Sequence, residues 1–248
     1  MSTAPTIPAP PPAWPPGELE DRLRALAAER YHHRHPFNLR MHEGLLSPEE
    51  LRRWVLNRFH YQRHIPVKDA LILAKLDSSA LRQSWIRRIH DHDGRPAEDG
   101  RPSEAGGIER WLRLGEAVGL DRMLLLSGEG VLPAVRLAVD GYVNFCRNGS
   151  PLEAVASSMT ELFAPDLMAA RIKAWEHHYP WVEPEGLRYF QVRVRQGRQD
   201  SGEALELVHR WAETRAGQER ALAAFTFKCD VLWTMLDAID HAGAQDER

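Results

Sequence analysis

The sequence predicts an all-α protein, folded as one compact helical bundle over residues 17–248. Three observations support this prediction. Apolar residues recur at spacings of three and four along most of the chain, which is the period of a helix with one buried face. Helix start and stop signals flank many of these segments. The connections between them are mostly short, as in bundles of antiparallel helices.

The helices follow one another in order along the chain. The first covers 17–30, with Leu19, Leu23 and Leu26 on one face. A second begins at Ser47-Pro48-Glu49-Glu50, where serine is the N-cap, proline takes the first helical position and acid fills the first turn. It should end or kink near Pro66. Further helices are predicted at 67–76, 78–91, 107–118, 131–147, 151–163, 165–177 and 217–242.

Two segments carry a weaker signal. Residues 189–195 alternate enough to pass for a strand, but an isolated strand has no partner, so we predict a helix. Residues 94–106 contain glycine, proline and charged residues and are predicted to form a structureless loop. Loops of this length are often functional or disordered.

The N-terminal residues 1–16 include seven prolines, so we predict an extended, mobile arm. This segment lacks the basic start and the continuous apolar middle of a signal peptide. The chain has no run of 18 apolar residues. We therefore expect a cytoplasmic protein without a membrane partner.

Charge and cysteine content exclude several classes. The net charge is −3, from 32 basic and 35 acidic residues, which argues against a nucleic-acid partner. Cys146 and Cys229 lie far apart, so neither a disulfide framework nor a zinc spacing is indicated. The nucleophile elbow, the P-loop and the dinucleotide fingerprint are all missing from the sequence.

Residues 87–94, with the sequence RRIHDHDG, form the most informative stretch. A helix C-terminus can hold a histidine protonated, and a neighbouring carboxylate can orient its ring. His90 or His92 could therefore transfer protons. The alternative is ordinary capping, because basic residues are favoured in any last turn and glycine just after it.

Polar residues interrupt apolar helical faces at several places. Arg58 follows Trp54 by one turn, and Lys228 interrupts the stripe of the last helix. Gln62, Tyr142 and Glu161 lie in similar positions. Buried charges are costly unless paired, so their repetition predicts a cationic cavity for a carboxylate or phosphate. The alternatives are snorkelling side chains or an internal ion pair such as Arg58 with Glu161.

The histidines also suggest a metal site, which the spacing does not favour. Di-iron bundles need two Glu-x-x-His pairs, and only Glu29-x-x-His32 has that spacing. His60 and His64 are one turn apart without the glutamate of a metalloprotease helix. We therefore predict no metal.

A set of motifs occurs in a defined order and covers most of the chain from about 31 to 240. These are Tyr31-His32, His35-Pro36, Asn57-Arg58-Phe59, Tyr61-Gln62, Ile65-Pro66-Val67-Lys68-Asp69, Asp91-His92-Asp93-Gly94, Gly106-Gly107-Ile108-Glu109, Thr160-Glu161-Leu162-Phe163-Ala164-Pro165, His178-Tyr179 and Phe227-Lys228-Cys229-Asp230. Together they resemble the pyrroloquinoline quinone synthase family.

The resemblance implies a haem-oxygenase-like fold, similar to that of the thiaminase-like proteins, in a homodimer. It implies an oxidase that acts on a bicyclic precursor bearing several carboxylates. Such an enzyme closes the last ring and passes electrons to O2, which leaves as hydrogen peroxide. Pyrroloquinoline quinone is then the product, and neither a metal nor a redox cofactor is needed.

The resemblance also assigns roles to residues. The catalytic group is His92, rather than His90, with Tyr189 and Arg193 near the oxygen site. The substrate contacts are Tyr31, His32, Arg58, Gln62, Lys68, Tyr142, Glu161, Arg171 and Lys228. Three features depart from the family pattern: His60 replaces an expected tyrosine, Met168 replaces a histidine of some members, and the loop 95–105 is longer.

A mechanism follows from these assignments. Arginine and lysine side chains clamp the carboxylates, and His92 abstracts a proton to form an electron-rich anion that reduces O2 directly. Two other functions remain open: a metal-dependent oxygenase on the same scaffold, and a non-catalytic binder of an anionic small molecule.

Overall fold

The structure is a computed structural model that describes residues 10–98 and 100–246, without the side chains of 196–201 and 244–246. The described residues form twelve α-helices and no β-strand. In chain order, α1 to α12 span Glu18–Arg30, Pro36–His42, Pro48–Gln62, Ile65–Leu73, Ser79–Asp93, Gly107–Ala117, Arg122–Ser127, Pro133–Asn148, Pro151–Ser157, Ala164–His178, Arg188–Trp211 and Arg215–Asp246. Short 3-10 helices span His32–Arg34, Ser158–Phe163 and Pro184–Leu187. The predicted all-α class is confirmed.

The predicted start of α3 is confirmed in detail. Ser47 and Glu50 form a reciprocal capping box, and Pro48 occupies the first turn. The predicted end near Pro66 is placed too late, because α3 ends at Gln62 and α4 begins at Ile65. Pro66 lies in the first turn of α4, where a missing backbone N–H costs nothing.

Several elements differ from the prediction. The helices α2 and α7 were not predicted, since seven and six residues are too few for a periodic signal. The predicted helix over 151–163 changes to a 3-10 helix at Ser158. The segment 189–195 is helical as predicted and belongs to the much longer α11.

The loop after α5 has local structure, contrary to the prediction. Arg95 and Glu104 exchange two backbone hydrogen bonds of 2.9 Å, and Glu98 pairs with Arg101. Gly94 adopts a φ of 87° at the end of α5, a left-handed value that favours glycine. A Cβ on Gly106 would lie 2.3 Å from the backbone oxygen of His92, so the loop returns directly onto the helix end.

Part of the predicted mobile arm is packed against the bundle. Trp14 is buried, and its backbone N–H donates to the Gln218 side-chain oxygen at 2.7 Å. The guanidinium groups of Arg22 and Arg215 lie over its ring at 4.4 and 4.6 Å. Residues 10–16 are therefore packed against the bundle rather than mobile as predicted, because Trp14 anchors them. Residues 1–9 lie outside the described part of the chain.

An aromatic cluster joins four helices beneath the site. Trp54 of α3 packs against Trp111 of α6 and Trp175 of α10, at centroid distances of 5.4 and 5.9 Å. Phe190 of α11 contacts Trp111 and Trp175 at 6.0 and 5.7 Å. Such pairs each contribute about 0.5–1.5 kcal/mol beyond their area burial. The cluster fixes the helices that carry Arg58 and Tyr189.

Within residues 10–98 and 100–246, no helix has a stretch that is both long and apolar enough to cross a membrane.

Candidate active site

A polar cavity lies between α3, α5, α10, α11 and α12. Its volume is about 50 Å³. Eight of the twelve predicted site residues line it: Tyr31, His32, Arg58, Gln62, His92, Glu161, Tyr189 and Arg193. The others among its walls are Tyr61, Ile65, Thr160, Ala164, Met168 and Leu232. The sequence therefore identified residues that are distant along the chain and adjacent in space.

His92 lies in the last turn of α5 and is fully buried. Its Nδ1 lies 3.1 Å from the backbone oxygen of Arg88. A carbonyl oxygen only accepts, so Nδ1 carries the proton of the neutral ring. The other nitrogen, Nε2, has no hydrogen-bond partner among the described residues. It is thus available as a proton acceptor.

The charge state of His92 differs from the expectation at a helix C-terminus. Burial, followed by the charge of Arg193, lowers its pKa from 6.5 to about 3. Desolvation of the charged ring outweighs the helix dipole here. The orienting partner is also a backbone carbonyl rather than a neighbouring carboxylate. His90, by contrast, is partly exposed and does not line the cavity.

Tyr189 and Arg193 lie one turn apart on α11, as predicted, and both side chains are buried. The Tyr189 hydroxyl donates to the side-chain oxygen of Gln62 at 2.9 Å. Burial raises the pKa of Tyr189, so the phenol keeps its proton near neutral pH. A Cβ on Gly107 would lie 3.3 Å from the His92 ring and 3.4 Å from the Tyr189 ring. Gly107 therefore lets both rings approach the same point.

Glu161 is paired with Arg88 and Lys68 rather than with Arg58. Its carboxylate lies 2.6 Å from the Arg88 guanidinium and 3.8 Å from Lys68 Nζ. Burial acts to raise the pKa of Glu161, but Arg88 and then Lys68 lower it to about 2. The suggested Arg58–Glu161 ion pair is wrong. Arg88 was missed, although it shares a helix face with the buried Trp85 and His92.

Lys68 does not line the cavity, since it is engaged by its own neighbours. Its Nζ lies 2.8 Å from Asp69 and donates to the Ser158 hydroxyl at 3.0 Å. Asp69 also accepts from the Trp85 indole at 3.1 Å. Lys68 thus reaches the cavity only through its longer contact with Glu161.

Lys228 lies behind one wall of the cavity. Its Nζ donates to the Tyr61 hydroxyl at 2.7 Å and sits 3.3 Å from the centre of the Tyr142 ring. Burial, and then the charges of Arg58 and Lys68, lower its pKa well below the ordinary value. Tyr61, which is absent from the predicted set, contacts both Lys228 and Arg58. The Arg58 guanidinium lies 4.2 Å from the centre of the Tyr61 ring.

Arg171 lies below the cavity instead of lining it. Its guanidinium stacks over Trp54 at 4.8 Å and donates to the Asn38 side-chain oxygen at 2.9 Å. Burial and the charge of Arg58 lower the pKa of Arg171 to about 9. The Asn38 amide donates to His32 Nδ1 at 3.1 Å, so Nε2 of the neutral His32 ring carries the proton. Asn38, another residue missed from the sequence, connects Arg171 to His32.

Of the two single residues that depart from the family pattern, His60 and Met168, only Met168 lines the cavity. His60 is buried beside His64, with ring centres 4.6 Å apart, and burial lowers its pKa to about 4.

Cations outnumber carboxylates around the cavity. Glu161 is its only acidic lining residue in the described chain, and Arg88 already pairs with it. No carboxylate among the described side chains lies within ion-pair distance of Arg58 or Lys228. A ligand with several carboxylates would compensate these charges. No three His, Cys, Asp or Glu side chains in the same described part come together as metal ligands.

The chain is similar to a known family and to named proteins. A profile described as the TENA/THI-4/PQQC family matches residues 20–238. A Pseudomonas putida protein named pyrroloquinoline-quinone synthase is 50% identical over 227 residues, covering 92% of this chain and 88% of its own. A protein of the same name from Pseudomonas syringae pv. tomato is 50% identical over 230 residues, covering 93% and 89%.

Solved structures share the fold at low sequence identity. A Shewanella denitrificans domain with a heme oxygenase-like fold gives a TM-score of 0.72 at 14% identity, covering 93% of this chain and 92% of that one. A TenA homologue from Pseudomonas syringae pv. tomato gives 0.72 at 15% identity, covering 90% and 91%. The predicted haem-oxygenase-like fold is therefore confirmed.

Proposed function

Because the chain belongs to the TENA/THI-4/PQQC family, we propose that its cationic cavity carries out the final step of pyrroloquinoline quinone biosynthesis. In this step, a bicyclic polycarboxylate precursor undergoes ring closure and oxidation by O2, without a metal or a redox cofactor. One observation carries the proposal: in a cavity with surplus positive charge, Nε2 of a neutral His92 has no hydrogen-bond partner among the described residues.

The cations hold the precursor in one orientation. Arg58 offers a planar pair of donors to one carboxylate, and Lys228 lies behind Tyr61 to attract another. Tyr31, His32 and Gln62 add neutral hydrogen-bonding groups along the same walls. Fixing the ring in this way places its acidic hydrogen next to His92.

His92 acts as the general base. Its Nε2 accepts a proton from carbon or nitrogen of the bound precursor, while Nδ1–H stays on the Arg88 carbonyl. The nearby negative charge of Glu161 stabilises the imidazolium that forms. The electron pair left on the precursor makes an electron-rich, quinol-like anion.

That anion reduces O2 directly. Each two-electron oxidation takes two protons and two electrons from the precursor and converts one O2 to one H2O2, so no further reductant is required. Arg193 stabilises the developing peroxide charge, and the Tyr189 hydroxyl and protonated His92 can donate to it. The three groups line one cavity, as this step requires.

Incubation of the protein with the bicyclic precursor tests the proposal. We expect an O2-dependent quinone absorbance with peroxide release, in protein treated with a chelator and verified metal-free by elemental analysis. Turnover that requires stoichiometric iron would support the metal-dependent alternative. Binding without any O2 consumption would support the non-catalytic binder.

A homodimer stays a prediction, and light scattering of the purified protein tests it.

A further inference from the structure

A second cavity of about 380 Å³ lies on the outer side of Tyr31. It is lined mainly by carbon atoms, from Leu39, Phe163, Leu167 and Ala170. Leu39 and Ala170 are exposed, so this cavity is accessible from solvent. None of these four residues lines the reaction cavity.

The two cavities share one thin wall. Tyr31 lines both of them. Its ring packs against His32 on the reaction side at 4.5 Å, and against Phe163 on the outer side at 5.7 Å. The helix α10 completes the wall, with Met168 facing the reaction cavity and Leu167 facing the outer one. The Tyr31 ring and this part of α10 therefore separate the outer cavity from the reaction cavity.

The outer cavity is unsuited to a polyanion. No Lys or Arg is among the described residues that line it, and the exposed Asp166 adds a negative charge. Burial lowers the pKa of His42, to about 4, and also that of His33, so both remain neutral near pH 7. A polycarboxylate would lose hydration here without gaining a counter-charge.

We propose that this outer cavity is the route by which O2 reaches the reaction cavity, with Tyr31 as the wall that O2 crosses. The inference rests on the proposed function, which supplies O2 as a co-substrate. Small apolar molecules enter apolar cavities that exclude ions. Rotations of the Tyr31 and Phe163 rings would open the wall for O2 while retaining the larger anion.

Partial filling of the outer cavity tests this route. Ala170→Phe introduces a ring at its exposed side, and Ala134→Phe is the matched control at an exposed position of α8. We expect A170F to raise the KM for O2 by about threefold or more, with kcat at saturating O2 and precursor Kd within about twofold. The control should leave all three parameters unchanged. Initial rates at varied O2 would measure them.

Xenon pressure provides a readout independent of turnover. Crystals of the wild-type protein should bind xenon in the outer cavity, and A170F crystals should lose that site. Two results would overturn the O2 route alone, provided that the wild-type enzyme is active with the precursor. One is an unchanged KM for O2 in A170F, and the other is the absence of xenon from the outer cavity of the wild-type crystals. A wild-type protein that binds xenon here but consumes no O2 with the precursor would overturn the proposed function, and with it the assignment of this cavity to O2.

Discussion

The ring of His92 and the backbone of Arg88 are joined by one hydrogen bond, 3.1 Å from Nδ1 to the carbonyl oxygen. The side chain of the same Arg88 holds the Glu161 carboxylate at 2.6 Å. Arg88 thus fixes the tautomer of the histidine through its backbone and the charge of the cavity carboxylate through its side chain. This arrangement connects the stability of the fold to the chemistry of the site.

Replacement of Arg88 by methionine should destabilise the protein. Loss of the guanidinium leaves the half-buried Glu161 carboxylate with only the longer contact to Lys68 among the described residues. Breaking a pair that joins a buried arginine to a half-buried carboxylate costs about 2 kcal/mol or more in the free energy of unfolding, measured by urea denaturation. The double variant R88M/E161Q should recover much of the loss, because no carboxylate then remains uncompensated.

The adjacent Arg87 supplies a matched control. It pairs with Glu203 on the surface, with the Arg87 side chain 44% exposed. Exposed pairs contribute only about 0–1 kcal/mol, so R87M should have little effect. Equal losses in R87M and R88M would contradict the role given to the buried pair.

Buried neutral histidines should make the protein sensitive to acid. The pKa of His42 is about 4 and that of His92 about 3, both below the unfolded value of 6.5. Between these values the unfolded chain binds more protons than the folded one, so stability rises with pH and is lost as pH falls below about 6.5. His42→Gln removes one such group outside the reaction cavity. The difference in unfolding free energy between pH 7 and pH 5 should therefore be smaller in H42Q, and an unchanged difference would refute this assignment.

Gly106→Ala should disturb the end of α5 that carries His92. The added Cβ would lie 2.3 Å from both the Gly94 nitrogen and the His92 oxygen, which are backbone atoms that cannot rotate away. We expect a loss of kcat that exceeds the change in precursor Kd. Gly141→Ala is the control, because nothing lies within 4 Å of its added Cβ in α8. G141A should keep full activity and gain stability by about 0.5–1 kcal/mol.

Binding of the polyanion should be coupled to proton uptake through Lys228. The pKa of Lys228 is well below its ordinary value in the free protein, and a carboxylate placed beside it raises that pKa again. Calorimetry of product binding in buffers of different ionisation enthalpy should therefore show protons taken up. Uptake should diminish in K228M and persist in K173M, since Lys173 is exposed on α10. Uptake that is equal in all three proteins would exclude Lys228 as its source.

Sequence periodicity predicted most helices because each long helix has a repeating apolar face. The short α2, over Pro36–His42, gave no such repeat and was missed. The packing of Trp14 was also missed, because its partner Gln218 is 204 residues away. A proline-rich composition indicates an extended backbone but not the surface against which it lies.

For the site, buried polar positions predicted a cavity but not the pairing of charges within it. Arg88 could have been recognised as buried from its helical face with Trp85 and His92. Its partner Glu161 lies 73 residues further along the chain, so their contact depends on how α5 packs. The same reason applies to Arg171 and Asn38, which lie 133 residues apart. Lys68 is instead engaged by its chain neighbour Asp69, away from the cavity lining.

The central claim, that His92 is the base of an O2-dependent oxidation, is tested most directly by single turnover of His92→Asn. Precursor affinity is measured without O2, and O2 is then admitted while quinone formation is followed. We predict a Kd within about threefold of the wild type and a rate at least ~100-fold lower, as expected for loss of a general base. His90→Asn, at a residue outside the cavity lining, should react like the wild type. An H92N protein that forms quinone at the wild-type rate would contradict the account.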